Sequence, residues 1–265
     1  MRMHYKVKYD TPEPKDGDTI AVWFSCGAAS ATAAWRTLRR YEKRCNVRIV
    51  YNSVIEEDED NLRFLYDVSK WLEYPIELAN NPNYPSCSAV DVWDDVKYMS
   101  GIHGAPCTVQ LKKRARQHWE NNNKCDWHVL GFTLEEHDRH MRFIQTERDN
   151  VIPVLIDDGF TKMDCFEFIM GMGLELPRIY KQGYPNANCI GCVKATSPTY
   201  WNHVRKQHPE VFQQRAEQSE RLGVKLVRVK GERIMLKDLD PKAKGRPMKN
   251  LRFECGIFCE ELEEN

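Results

Sequence analysis

The stretch from Thr19 to Arg40 limits the fold of this chain more than any other. Thr19-Ile20-Ala21-Val22-Trp23-Phe24 is a short apolar run bounded by turn residues, the pattern of a strand covered on both faces. It passes into Ser25-Cys26-Gly27-Ala28-Ala29-Ser30 and then into an Ala-rich, helix-favouring stretch to Arg40. The alternation recurs. Val47 to Tyr51 reads as a second strand, Asn61 to Leu72 as a helix with Leu62, Leu65, Val68 and Leu72 on one face. Ile76 to Leu78 is a third strand, and Trp127 to Leu130 another, closed by Gly131. Strands alternating with helices predict an α/β domain over about residues 19–175, a mostly parallel sheet with helices on both faces.

Residues 1–18 are polar and Pro-bearing, an expected N-terminal arm without the apolar stretch of a secretory leader. Residues 176–265 change character and predict a smaller α+β lobe. Glu210 to Leu222 reads as a helix ended by Gly223, and Val224 to Val229 with Arg233 to Leu236 as a hairpin around Lys230-Gly231. Lys and Arg total 39 against 39 Asp and Glu, so global charge makes no argument for nucleic acid. From Lys194 to Glu254, however, 15 Lys/Arg face 7 Asp/Glu, a local surplus that suits RNA or DNA phosphates. No apolar run approaches the roughly 18 residues of a membrane span, so no membrane association is expected. Ten cysteines without a leader point to the cytoplasm, where thiols stay reduced and serve metal ligation or catalysis.

Four segments carry candidate chemistry. The small residues after the first strand let backbone approach a ligand, and first-turn N–H groups of the following helix bind anions. Ser25 and Ser30 add hydroxyls there, with Ser30 the expected N-cap; the alternative is a tight structural turn. Cys189-Ile190-Gly191-Cys192 presents two thiolates to one metal, with Gly191 permitting the bend. One CxxC is half a site. Cys107, before the basic residues Lys112, Lys113, Arg114 and Arg116, is the first-choice partner, with Cys87, Cys255 and Cys259 in reserve. That donor set suits an iron–sulfur cluster, a structural zinc or a redox dithiol. Cys255 in Glu254-Cys255-Gly256-Ile257-Phe258-Cys259 reads either as a nucleophile, with Lys249 and Arg252 favouring thiolate, or as a packing cysteine. Arg139, in Gly131-Phe132-Thr133-Leu134-Glu135-Glu136-His137-Asp138-Arg139, could hold an anion or pair with Glu135. Cys26, Cys45, Cys125 and Cys165 read as small core residues, and the run Glu56 to Asp60 as a solvated helix start.

Taken in order, FSCGAAS, VRIVYNS, PCTVQLKK, GFTLEEHDR, NCIGCVK and ECGIF resemble the phosphoadenosine phosphosulfate reductase family, within the adenine-nucleotide alpha-hydrolase or PP-loop superfamily, and span about residues 19–259. The resemblance implies a Rossmann-like PP-loop fold. It implies an adenine nucleotide, adenylated sulfate or ATP, held at Ser25, Gly27 and Ser30, over the second strand's end near Asn52, and at Arg139. It further implies a [4Fe-4S] cluster on Cys107, Cys189 and Cys192, with zinc the alternative, and a nucleophilic Cys255 served by an electron donor such as a small thiol protein.

The chain departs from the family in three places. Ala28-Ala29 stand where ATP-cleaving members carry Lys-Asp, Cys107-Thr108 replaces adjacent cysteines, and no His follows ECGIF. The leading expectation is a sulfonucleotide reductase-like enzyme. An ATP-dependent iron–sulfur thiolation enzyme acting on tRNA or DNA is the alternative, and a non-catalytic, zinc-stabilised nucleotide-binding protein the third reading.

Overall fold

The computed structural model describes residues 13–101 and 104–248. In chain order its main elements are β1 (Thr19–Phe24), α1 (Ala28–Tyr41), β2 (Asn46–Tyr51), α2 (Asp60–Leu72), β3 (Ile76–Leu78) and α3 (Ala89–Val96). A π-helical segment, Thr108–Arg114, runs into α4 (Ala115–Asn122), followed by β4 (Trp127–Val129), α5 (His137–Thr146) and β5 (Val151–Ile152). Then come α6 (Val154–Asp157), α7 (Lys162–Gly171), α8 (Arg178–Lys181), α9 (Pro198–Gln207), α10 (Pro209–Arg221), β6 (Val227–Val229) and β7 (Glu232–Ile234).

Packing divides these residues into two units, the first comprising 13–52, 60–79 and 118–177. It is an α/β fold built on a five-stranded sheet of order β3-β2-β1-β4-β5, every pair parallel. All six residues of β1 are buried, as a central strand covered on both faces requires. The chain lays β2 and β3 on one side of β1 and β4 and β5 on the other, so strand order reverses between β1 and β4. Its core joins Ile20, Val22 and Phe24 of β1 to Ala31, Ala34 and Leu38 of α1, Phe64 and Val68 of α2, and Cys165 and Ile169 of α7.

The second unit comprises 53–59, 80–101, 104–117 and 178–248. Residues 53–59 and 80–117 fall within the 19–175 span of the sequence division but pack here, because Val54, Val92, Trp93, Met99 and Leu111 share a core with Tyr200, Trp201 and Leu226. Periodicity reveals an element without revealing which core it joins. Helix α10 and the antiparallel β6–β7 hairpin lie where the sequence places them, and Gly223 takes φ +68°, the left-handed stop after a helix.

Two readings need correction. Leu62 of α2 is 59 % exposed; Val68 is buried and Leu65 and Leu72 pack against the core as expected, while Phe64, two positions after Leu62, fills the place at the start of the helix. The acidic run is not a solvated helix start. Asp58 is buried against Arg178 at 2.7 Å, and Glu57 pairs with the buried Lys112 at 3.2 Å. Glu56 closes the N-terminus of α3, accepting from the Ala89 and Val90 N–H groups at 2.8 and 3.3 Å. Their cationic partners lie far along the chain, where local pattern cannot show them.

His140 of α5 is buried beside Phe132, its Nδ1 without a hydrogen-bond partner among the described residues. Burial, helped by the nearby His137, lowers its pKa to about 4. An unfolded imidazole titrates near 6.5. Between those values the unfolded chain holds the extra proton, so stability is full above about pH 6.5 and drains away as pH falls toward 4. His140→Leu is therefore expected to move the acid-unfolding midpoint to lower pH, read by circular dichroism. An unchanged midpoint would refute this.

Candidate functional site

The loop after β1 emerges at the carboxyl edge of the parallel sheet, at the point of strand reversal where open α/β sheets receive ligands. Ser25 is exposed there and Gly27 half-buried. Between them Cys26 adopts φ +54°, a left-handed conformation costly for a residue with a side chain. The Ser30 hydroxyl compensates. Its Oγ accepts from the Ser25 and Gly27 N–H groups at 3.1 and 3.3 Å and donates to the Gly27 carbonyl at 2.9 Å. Ser30 is thus not the N-cap; Gly27 is, and Ser30 sits one turn inside α1, holding the loop from within.

Gly131, which follows β4, belongs to this arrangement although its type gave no sign of it. A Cβ there would lie 3.0 Å from the Ser30 backbone nitrogen and 3.2 Å from the Ala29 carbonyl carbon. Only glycine lets the end of β4 lie against the first turn of α1.

The remaining residues expected at the nucleotide are placed differently. Asn52 is buried at the end of β2, its Nδ2 donating to the Ala79 carbonyl at 2.7 Å. Arg139 lies on α5, bonded to Glu136 at 2.6 Å, with its guanidinium 5.2 Å from the Phe132 ring centre. Glu135 caps α7 through the Lys162 N–H at 3.1 Å.

The second site lies within the second unit. Cys107, Cys189 and Cys192 border one cavity, together with Glu56, Trp93, Lys112 and Arg215. Three features shape it. The π-helical segment begins directly after Cys107, a distortion that recurs at functional positions. The buried Tyr200 phenol grips the CxxC loop, accepting from the Cys192 N–H at 2.8 Å and donating to the Cys189 carbonyl at 3.4 Å. The Ile190 N–H donates to the Glu56 carbonyl at 2.9 Å. Gly191 takes φ +69°, and a Cβ on it would strike Val211 at 2.9 Å, so the loop presses directly on α10.

The donor set fits a thiolate-bound metal group in kind, three thiols beside two buried cations. It is not drawn together. The enclosed space is about 20 Å³, room for about one water. Among the described residues no three His, Cys, Asp or Glu side chains converge on a metal-sized point.

Among the other thiols, burial pushes Cys165 up to about 12 and Cys125 up to about 11, and raises Cys45 and Cys87. Cys87, a reserve ligand, is not among the residues bordering the cavity. Cys255 and Cys259 lie outside the described residues.

Trp93, Tyr200 and Arg215 escaped the sequence reading. For Arg215 a signal existed. It shares the buried face of α10 with Phe212, Ala216 and Ser219, a helical spacing in which an arginine marks a charge held inside. No family model matches this chain, and neither does any curated protein.

Gly131→Ala is expected to destabilise the first unit by about 1–3 kcal/mol, since its Cβ meets backbone that α1 packing holds in place. Denaturant unfolding checks it, and a loss below about 0.5 kcal/mol would show that the loop yields freely.

Proposed function

We propose that this chain is a phosphoadenosine phosphosulfate reductase-like enzyme that binds an adenine nucleotide on its parallel-sheet unit and carries a thiolate-held [4Fe-4S] cluster. One observation carries the reading: Cys107 and the pair Cys189 and Cys192, more than 80 residues apart in sequence, border the same cavity. The loop at Ser25, Gly27 and Ser30 supports the nucleotide half, because Ser25 is exposed at the carboxyl edge of β1 directly before the first turn of α1.

In this reading Ser25 and the first turn of α1 hold the anionic part of an adenylated sulfate. The Cys255 thiolate attacks the sulfate sulfur, the sulfur–oxygen bond to the phosphate breaks, and the nucleotide leaves with that oxygen and its electron pair. A second thiol, from a small dithiol protein, then attacks the Cys255 sulfur. Sulfite departs with the bonding electrons, and the two thiols are left oxidised as a disulfide. A [4Fe-4S] cluster at the three cysteines would supply a one-electron couple.

A second reading has its own support. Cys107 is followed by Thr108, and only three cysteines border the cavity, which suits a cluster with one iron open to carry sulfide in an ATP-dependent thiolation of RNA or DNA.

Anaerobic purification with iron and sulfide analysis, followed by mass spectrometry after mixing with an adenylated sulfate, tests both. The reductase reading expects about four irons per chain, lost in Cys189→Ser, and an adduct of roughly 80 Da on the Cys255 peptide. It also expects Gly27→Val to weaken nucleotide binding at least about tenfold, or about 1.4 kcal/mol, in calorimetry. Iron without an adduct but with tight ATP binding supports the thiolation enzyme. One zinc and no iron would overturn both in favour of a zinc-stabilised nucleotide-binding protein.

A further inference from the structure

Arg215 of α10 and Trp93 of α3 are each only 3 % exposed, and both border the cysteine cavity. Their side chains stack, the guanidinium carbon 4.8 Å from the indole centre. Arg215 Nη1 is satisfied by Gln218 at 2.7 Å. Arg215 Nε and Trp93 Nε1 are not; neither has a hydrogen-bond partner among the described residues. Two buried N–H groups at one cavity wall are costly, on the order of 1–3 kcal/mol each, and a buried guanidinium costs more unless an anion faces it. The nearby carboxylate of Glu56 is engaged at the N-terminus of α3. The other polar side chains bordering the cavity are Thr108, Lys112 and the three cysteines, and of these the cysteines are the ones that become anionic.

Resting on the cluster reading above, we propose that Arg215 and Trp93 are positioning residues that donate from Nε and Nε1 to the sulfur atoms of the thiolate-held group and set its reduction potential. The chemistry is complementary. A thiolate-bound cluster is anionic, its sulfurs accept hydrogen bonds, and both a buried positive charge and donors to sulfur favour the reduced, more negative state. The contact of Gly191 with the Arg215 stem already places the CxxC loop against this side chain.

The test compares wild type, Trp93→Phe, Arg215→Lys and Arg215→Met after anaerobic reconstitution with iron and sulfide. Three quantities are read: iron per chain, midpoint potential by redox titration, and iron–sulfur stretching frequencies in H₂O and D₂O. Trp93→Phe keeps the ring and Arg215→Lys the charge, so both are expected to keep their iron. Each is expected to lower the potential and to lose part of the D₂O-sensitive shift. Arg215→Met, without the charge, is expected to lower the potential furthest; if it fails to fold, the two conservative variants decide. Full iron with unchanged potential and unchanged isotope shift in those two overturns this inference alone. A wild-type chain that takes up no iron overturns the cluster reading and this inference with it.

Discussion

The central position of β1 governs the first unit. Its six buried residues pair with β2 along their whole length and with β4 at Ile20, Ala21 and Val22. A strand locked from both sides has no freedom at its carboxyl end, so the turn into α1 must be made at once. The left-handed Cys26 and the Ser30 hydroxyl are the consequences. Backbone strain of this kind persists only where surrounding structure over-determines it, and here the two neighbouring strands and the close approach of Gly131 do so. The same confinement leaves Ser25 outward-facing at the strand reversal. The packing of β1 and the exposure of Ser25 are therefore one constraint seen from two sides.

The second unit is organised differently, by buried charge. Glu56, Glu57 and Asp58 are consecutive, yet each carboxylate serves another element: the N-terminus of α3, Lys112 of the π-helical segment, and Arg178 of α8. Three adjacent acids drawn to three partners fix the course of residues 53–59. The Glu56 carbonyl then fixes the CxxC loop through Ile190. Replacing Glu57 by an apolar residue would remove the counter-charge that faces the buried Lys112, a larger loss than the pair itself contributes.

The difference between those two devices explains what was legible in the sequence. The sheet strands and the hairpin follow from apolar runs and turn residues, signals contained in windows of five to fifteen residues. On α2, Leu65, Val68 and Leu72 face the core as the apolar spacing indicates, but Leu62 and Phe64 compete at the start of the helix and only the three-dimensional core chooses between them. The acidic run looked solvated because Lys112 and Arg178 lie about 55 and 120 residues away. Cys107 was set beside Cys189 and Cys192 because basic residues follow it, not because of spacing, and the family resemblance pointed the same way. The Ser30 correction is the smallest: a serine three residues after a glycine can cap from outside or fold the loop from inside, and composition does not distinguish them.

Ten cysteines in one chain pose a sorting problem that exposure alone does not solve, since Cys192 at the cavity is as buried as Cys45 and Cys87. A thiol surrounded by carbon resists ionisation. Burial pushes Cys165 on α7 up to about 12 and Cys125 before β4 up to about 11, so neither is suited to hold a metal or attack an electrophile near neutral pH. The cavity cysteines have a different setting. Their neighbours include a guanidinium that burial pushes down and that the negative charge of Glu56, Cys189 and Cys107 pushes back up. A guanidinium held inside the fold depends on the negative charge around it, and the Glu56 carboxylate is the first source of it, so the same acid that closes the N-terminus of α3 also steadies α10.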